Sequence, residues 1–165
     1  MKGRGGLTVA LVVSAAALVA VFAGTVSADH PGSTTLTFVE RNNEGTFRFI
    51  DVRPKSPRPG QRISAGDMFL GSNRLYNAAN KRRRGKLFFK CTAVVASRTG
   101  NSPFLCEGTA RLSGGTLVIS AVLQGERDPA GAITGGTGAY EGASGSFSSD
   151  ERRRISVDTF HFDTD

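Results

Sequence analysis

The chain has 165 residues, with 21 glycines, 11 phenylalanines and no tryptophan, and its formal net charge is +7. This length suits one domain with a modest core. The basic residues cluster in turn-like segments, and no run of aromatic residues interleaves with them as a base-stacking platform would need. The composition therefore argues against nucleic-acid binding. Solvated loop charge is the favoured interpretation, with attraction to an anionic polymer as the alternative.

The first 28 residues have the three parts of a signal peptide. Two basic residues precede the uncharged run Leu7–Phe22, and Val26 and Ala28 place small residues three and one positions before a cut. The run of about 16 residues is short for a membrane span of roughly 20, so cleavage after Ala28 is favoured over a transmembrane anchor. The secreted chain, residues 29–165, then keeps 19 basic and 14 acidic residues, a net charge of +5.

The remaining sequence alternates apolar and polar residues with a period of two, which is typical of β-strands. Eight strands are predicted: Thr34–Asn42, Thr46–Val52, Asp67–Tyr76, Lys86–Ser97, Phe104–Leu112, Thr116–Gln124, Ala143–Asp150 and Arg154–Phe162. Residues 43–45 and 113–115 are predicted to be hairpin turns. Pro54, Pro57 and Pro59 hold the connection after the second strand outside any sheet.

Polar residues interrupt the apolar faces of the first and third strands. Glu40 and Asn42 continue one face of the first strand, and Asn73 lies on a face of the third. The apolar residues on these two faces are Leu36, Phe38, Phe69 and Leu75. A carboxylate that continues an apolar face either ends in solvent or points into a cavity, and both interpretations stay open for Glu40. In a cavity, Glu40 would pair with Asn42, burial would raise its pKa, and the polar groups would orient a hydrophobic ligand.

The two cysteines, Cys91 and Cys106, are predicted to form a disulfide, because the chain is exported. Pairing them in a hairpin sets Phe89 opposite Gly108, where the ring would cover the bare glycine backbone. The same register pairs Leu87 with Ala110 and Ala93 with Phe104. A shift of one residue would turn this apolar face outward. A reactive free Cys91 is the alternative, and a metal site is disfavoured because the cysteines and histidines have no ligand spacing.

Closure into a barrel would protect the edges of eight short antiparallel strands and leave room for packed side chains or one small ligand. The strand Thr116–Gln124 favours a barrel over a sandwich because it is apolar on both faces. Leu117 and Ile119 lie on one face, and Val118 and Val122 lie on the other. One face would line the barrel and the other would contact a second subunit, which predicts a homo-oligomer.

Residues 133–145 read ITGGTGAYEGASG and are predicted to form a glycine-rich turn, in which several residues need a positive φ or close backbone approach. The run has neither the ending of a P-loop nor the spacing of a dinucleotide-binding fingerprint. A Ser-His-Asp elbow and a zinc-binding HExxH motif are also absent from the sequence. His30 and His161 lie near the ends of the secreted chain and are predicted to have no special role.

The run ITGGTGAYEGASG resembles the signature of allene oxide cyclase-like and dirigent-like proteins, and residues 66–76, GDMFLGSNRLY, resemble the GD…NKLY stretch of the cyclases. The resemblance covers roughly residues 36–162. It implies an eight-stranded antiparallel barrel, often trimeric, with a hydrophobic cavity. Plant cyclases of this family close an unstable allene oxide of a fatty acid, and the dirigent branch steers the coupling of phenoxy radicals. In both branches the barrel holds a reactive molecule in one conformation, and no cofactor is implied.

By position, Glu40 and Asn42 match the Glu-x-Asn of the cyclases' first strand, where the glutamate stabilises developing positive charge and the asparagine helps to hold a water. Asn73 matches a second asparagine that helps to hold that water. Cys91 falls on a cavity cysteine. The strand Thr116–Gln124 contains no tyrosine, although the barrel wall of the cyclases leads us to expect one there.

Three functions follow as hypotheses. The first is an exported barrel that binds an apolar small molecule and guides its cyclisation or coupling, with Glu40, Asn42 and Asn73 as polar anchors. The apolar ligand-binding residues would be Leu36, Phe38, Phe69 and Leu75. The second is a non-catalytic carrier or envelope protein with the same cavity. The third is a polyanion-binding module that uses the basic loops, above all residues 82–84.

Overall fold

The computed structural model describes residues 32–55, 62–124 and 129–164. The predicted signal peptide, His30, Pro57 and Pro59 lie outside the described residues. Within these ranges no helix has the length and apolar character that a membrane crossing would require.

The described chain forms nine β-strands, and eight of them close into an antiparallel barrel. The strands are β1 Thr34–Arg41, β2 Thr46–Ile50, β3 Met68–Asn77, β4 Arg83–Ala93, β5 Phe104–Leu112, β6 Gly115–Leu123, β7 Ala130–Gly138, β8 Ser144–Glu151 and β9 Ile155–Asp163. Neighbours along the chain pair from β3 to β9, and β1 pairs with both β9 and β3. Because β1 joins the two ends of the sheet, the predicted closed eight-stranded barrel is confirmed.

The strand β2 is an additional strand and is not one of the eight that close the barrel. Both β1 and β2 run antiparallel to β3, with Glu40 opposite Leu75 and Thr46 opposite Ser72. Two strands that run in the same direction along one partner are not a hairpin, so the predicted hairpin turn at residues 43–45 is wrong. Residues 42–45 instead separate β1 from β2 along the same edge of β3. The strand β2 pairs with the part of β3 that β1 does not reach.

The strand β7 contains the first half of the glycine-rich run, which the sequence predicted to be a turn throughout. That prediction is wrong for residues 133–138, and only the segment that follows turns back towards β8. Glycine permits β7 to lie very close to its neighbours. A Cβ atom on Gly131 would stand 2.3 Å from the carbonyl oxygen of Ser120, and one on Gly136 would stand 2.1 Å from that of Tyr140. The predicted close backbone approach is thus confirmed, but it occurs within a strand, and the predicted positive φ is found at Gly138, Gly142 and Gly145.

The hairpin of β4 and β5 has the predicted register and the predicted disulfide. Cys91 lies opposite Cys106, and their sulfur atoms are 2.05 Å apart. Phe89 lies opposite Gly108, as expected, but its ring does not cover that glycine. The ring lies over Gly71 on the other neighbouring strand, where a Cβ atom would be 2.2 Å from the ring. The alternating pattern of the sequence was enough to predict the register of the hairpin. It did not predict on which neighbouring strand the Phe89 ring would lie.

The hydrophobic core fills the half of the barrel where β1 begins and β9 ends. Phe160, at the centre, makes edge contacts with Phe38 and Phe147 at centroid distances of 5.8 and 5.1 Å. Tyr140, from the turn after β7, packs against Phe162 and covers this end. The inward Leu117 and Ile119 of β6 are buried, whereas the outward Val118 and Val122 are exposed, which confirms the predicted alternation of this strand.

Buried Asp67 holds two loops at the opposite end of the barrel. One carboxylate oxygen accepts a hydrogen bond from the backbone N–H of Val52, and the other accepts one from that of Ser64, each at 2.8 Å. Asp67 also follows Gly66, which has a positive φ of 91°. The Gly-Asp segment singled out in the sequence is thus a structural latch beside the open end.

Candidate functional site

A cavity of about 150 Å³ occupies the other half of the barrel and opens to solvent at the end where β1 finishes and β3 begins. Phe147, Leu87 and Ile119 separate it from the packed core. The apolar wall continues upward through Phe89, the disulfide of Cys91 and Cys106, Gly108, Ala121, Leu123 and Pro129. The only acidic or hydroxyl side chains deep in this wall, among the described residues, are Glu40, Asp158 and Ser149.

Four polar side chains form a row across four adjacent strands of the barrel. Asn73 on β3 donates its amide N–H to Glu40 Oε2 on β1, at 2.5 Å. The Glu40 carboxyl in turn lies within hydrogen-bonding reach of the Asp158 carboxyl on β9, and the Ser149 hydroxyl on β8 lies within reach of Asp158. Glu40 is 5% exposed and Asp158 is 1% exposed. The row exists because the closed barrel places β1 between β3 and β9.

The two carboxyl groups share a site that disfavours charge. Burial, the nearby Asp158 carboxyl and the hydrogen bond to it raise the pKa of Glu40 to about 9, against the opposing effect of the Asn73 amide. Burial also raises the pKa of Asp158, while its hydrogen bonds from Ser149 and Glu40 act in the other direction. The direction of these shifts favours a proton on Glu40 at neutral pH, from where it can donate to Asp158.

The hydrogen-bond pattern within the described chain agrees with one shared proton. Glu40 Oε1 and Asp158 Oδ2 are buried oxygens to which no N–H or hydroxyl group donates. Two carboxylate oxygens left without donors would be costly in an apolar wall. A proton on Glu40 Oε1, directed at Asp158, would satisfy both atoms at once.

Gly45 gives Asn73 the space to reach Glu40. A Cβ atom on Gly45 would lie 1.8 Å from Asn73 Oδ1 and 2.9 Å from its Cγ, so any other residue here would displace the amide. The interruption between β1 and β2 is fixed in place by Glu44, which accepts hydrogen bonds from Arg41 at 3.0 Å and from the Tyr76 hydroxyl at 2.5 Å. The segment predicted to be a hairpin turn thus shapes the polar row.

The structure brings Glu40 and Asn73 together but places Asn42 apart from them. Asn42 follows the end of β1, and its side chain is exposed. It donates to the carbonyl oxygen of Arg152 and accepts from the hydroxyl of Ser156, both at 3.2 Å. The expected pairing of Glu40 with Asn42 is therefore wrong, because β1 ends before Asn42 and the chain turns outward there.

The four apolar residues predicted to bind ligand lie on the inner face of the barrel but outside the wall of the cavity. Phe38 and Leu75 are buried in the packed core, and Leu36 packs against it. Phe69 lies at the open end, where its ring is 4.9 Å from that of Phe104 and 4.8 Å from that of Phe49. Of the four, Phe69 is thus the one at the entrance to the cavity.

Asp158 and Ser149 were not predicted to belong to the site. Asp158 continues the buried face of β9 that includes Ser156, Phe160 and Phe162, so the signal that drew attention to Glu40 was present there too. Its partnership with Glu40 had no local signal, because 118 residues of sequence separate the two. Ser149 stands directly opposite Asp158 in the register of β8 and β9.

The described residues contain no group of three or more His, Cys, Asp and Glu side chains that could hold a metal ion. The arrangement can instead supply a neutral carboxyl group as a hydrogen-bond donor at the edge of an apolar space. A carboxylic acid kept neutral by burial can donate to a ligand oxygen on which negative charge develops.

Comparison with solved structures finds this barrel in proteins of low sequence identity. A pyocyanin demethylase gives a TM-score of 0.61 at 19% identity, over 78% of this chain and 98% of that one. A pterocarpan synthase dirigent protein gives 0.60 at 18% identity, over 82% and 97%. The Diels-Alderase AbmU from Streptomyces koyangensis gives 0.57 at 11% identity, over 79% and 68%. No protein-family model matches the sequence, and no curated protein does.

These likenesses show the fold. The chain has the allene oxide cyclase/dirigent-like β-barrel that the resemblance in the sequence implied. Its structural neighbours include proteins named for dirigent and cycloaddition functions on small molecules.

Proposed function

We propose that this protein binds an apolar small molecule in the open half of its barrel and guides the cyclisation or coupling of that molecule without a cofactor. The observation that carries the proposal is a buried carboxyl group, Glu40, which lies beside the buried Asp158 carboxyl and accepts a hydrogen bond from Asn73 at the edge of an apolar cavity. A wall that served only packing would not require two buried carboxyl groups, because apolar side chains would fill the space at lower cost.

The size of the cavity limits what it can enclose. A dry apolar cavity of about this volume accommodates one benzene ring, and this one measures about 150 Å³. One ring or short branch of a ligand would enter, and the rest would lie in the mouth beside the aromatic cluster of Phe49, Phe69 and Phe104. Holding a flexible reactive molecule by one end in this way restricts its conformations before reaction, which lowers the entropic part of the barrier.

Glu40 supplies the chemistry in this proposal through its proton. In the free protein this proton would be shared with the neighbouring Asp158 carboxyl. A carbonyl or ether oxygen of a ligand in the cavity would compete for it, and the hydrogen bond would strengthen as negative charge develops on that oxygen. Asn73 acts on the opposite oxygen of the same carboxyl group and keeps its orientation. No proton needs to leave the site, so the pair returns to its starting state after each event.

Export and oligomerisation belong to the same proposal. The disulfide of Cys91 and Cys106 supports an oxidising compartment, consistent with the signal peptide that residues 1–28 resemble. The outer face of β5 and β6 supports contact with a second subunit. There Leu105 and Val122 lie opposite one another and are 49% and 60% exposed.

The proposal is tested on the purified protein in two steps. Mass spectrometry of material released by denaturation would identify a co-purified apolar ligand, which then serves as substrate or as the template for analogues. Glu40→Gln is expected to abolish turnover and to retain ligand, because the amide keeps the shape but has no acidic proton. Glu141→Gln, a change at an exposed glutamate in the turn after β7 and outside the cavity wall, is the matched control. Ligand retention without turnover in the native protein would instead establish a carrier. Full turnover by Glu40→Gln would refute the proposed role of the Glu40 proton in the reaction.

A second candidate function is polyanion binding, and the exposure of Arg82, Arg83 and Arg84 favours it. Three adjacent exposed arginines would release counterions from an anionic polymer, and the affinity would fall steeply with salt. Retention on immobilised heparin that disappears in a triple glutamine variant of these residues would support this function. Unchanged retention would exclude a role for the cluster.

A further inference from the structure

The ring of Phe89 occupies a seat made by Gly71. The two residues are cross-strand partners on β4 and β3, and both face the interior of the barrel. A Cβ atom on Gly71 would stand 2.2 Å from Phe89 Cζ and less than 3.0 Å from two further ring carbons. The ring therefore lies across the bare backbone of β3, in a place that any larger residue at position 71 would occupy.

The opposite flank of Phe89 is different, although it also carries a glycine. Gly108 on β5 is the other cross-strand partner of Phe89. A Cβ atom there would meet Ile119 at 3.5 Å and Leu87 at 3.7 Å, which are ordinary contacts, and no atom of Phe89 is among its nearest neighbours. The ring thus leans to one side only, and the space in front of Gly108 belongs to the cavity.

We propose that Phe89 is the specificity-determining residue of the cavity, and that its seat on Gly71 keeps open a space one aromatic ring wide. The inference rests on the proposed function in one respect, that this cavity is the ligand site. A phenyl ring has the size of the benzene molecule that a cavity of about 150 Å³ holds. If the ring moved from β3 towards the barrel axis, it would fill the space by itself. The native cavity is accordingly selective for a single ring or a branch of similar bulk.

The backbone permits a clean test of this role. Neither Gly71 nor Gly108 has a positive φ, so alanine causes no backbone strain at either position. Gly71→Ala must displace the Phe89 ring, whereas Gly108→Ala makes only ordinary contacts. The two variants carry the same chemical change on opposite flanks of one side chain, and they differ in whether the ring has to move.

The experiment measures the affinity of the purified protein for toluene and for naphthalene by calorimetry. We expect the native protein to bind toluene at least about tenfold more tightly than naphthalene, because a rigid fused second ring exceeds the enclosed space and, unlike a flexible chain, cannot bend into the mouth. Phe89→Ala is expected to tighten naphthalene binding by at least about tenfold, and Gly71→Ala to weaken toluene binding by a similar factor. Gly108→Ala is expected to change toluene binding less than about threefold, since it adds one methyl group. Adding Phe89→Leu to Gly71→Ala should restore toluene binding and thereby exclude misfolding as the cause.

Two failures are distinguishable. A native protein that binds toluene, with the same preference for toluene over naphthalene in Phe89→Ala and Gly71→Ala, would overturn the role of Phe89 alone. Absence of binding of either hydrocarbon to both the native protein and Phe89→Ala would overturn the cavity as a ligand site, and with it the proposed function.

Discussion

Replacing Glu40 with glutamine is expected to make the protein more stable than the native chain above neutral pH. The pKa of Glu40 rises from 4.5 to about 9 on folding, chiefly because the carboxyl group is buried beside Asp158. Between these two values the native state keeps a proton that the unfolded state has released. The contribution of Glu40 is therefore fully present below pH 4.5, and it is lost as the pH rises through 9. Glutamine has no proton to lose, so the variant avoids this loss.

The pKa difference sets the magnitude. Each pH unit between the two pKa values lowers the free energy of unfolding of the native chain by about 1.4 kcal/mol relative to Glu40→Gln. At about pH 8 the accumulated difference reaches at most about 5 kcal/mol, which corresponds to a rise in Tm of about 15 to 20 °C for a domain of this size. At about pH 4.5 the two proteins should differ little, because a neutral carboxyl group and an amide fill the same space and both can donate to Asp158.

The assay is urea unfolding of both proteins at intervals from about pH 4.5 to 9, with circular dichroism as the signal that reports unfolding. Glu107→Gln is the control, because Glu107 is exposed and its hydrogen bond from Lys90 and the charge of that residue lower its pKa. The contribution of that pair is present above the ordinary pKa of glutamate and is lost as the pH falls, so the stability difference between Glu107→Gln and the native chain should be flat from about pH 5 to 9. A stability difference between Glu40→Gln and the native chain that stays constant with pH would refute a neutral, buried Glu40.

Three further changes test the elements around the site. Cys91→Ser should lower the free energy of unfolding by about 3 kcal/mol in urea titrations, since the disulfide closes a short loop. Asp67→Asn should cost about 2 kcal/mol in the same assay, because an amide cannot accept both backbone hydrogen bonds that the carboxylate accepts. Gly45→Ala should displace Asn73 and raise the pKa of Glu40 further, because the Asn73 hydrogen bond lowers it. Carbon NMR titration of the glutamate carboxyl groups reports that change.

Each of these three changes has a matched control. Gly135→Ala adds a methyl group where no atom lies within 4 Å, so it should leave the Glu40 titration unchanged. A reducing agent should destabilise the native chain as much as Cys91→Ser does, and should leave the variant unaffected. An exposed aspartate such as Asp150, changed to asparagine, should have little effect on stability. An Asp67→Asn variant as stable as the native chain would show that the latch contributes little.

The amino-acid sequence by itself determined the fold class and the most local features. Period-two alternation and turn residues predicted an antiparallel barrel. Seven of the eight predicted strands correspond to strands that close the barrel, and the eighth, Thr46–Val52, contains the additional strand β2. The register around Cys91 and Cys106 was predictable because a shift of one residue would turn a whole apolar face outward. Glu40 and Asn73 were recognisable as polar residues on apolar faces, a property of a single strand.

Only the tertiary structure decided which of these polar groups contact one another and where the cavity lies. Closure of the barrel sets β1 between β3 and β9, so Glu40 found Asn73 and Asp158 instead of Asn42, its neighbour in sequence. The strand β7 could not be recognised, because glycine has no side chain to alternate and neighbouring strands decide its conformation. Alternation specifies which face a side chain occupies, but contacts between residues distant in the chain decide what it touches there.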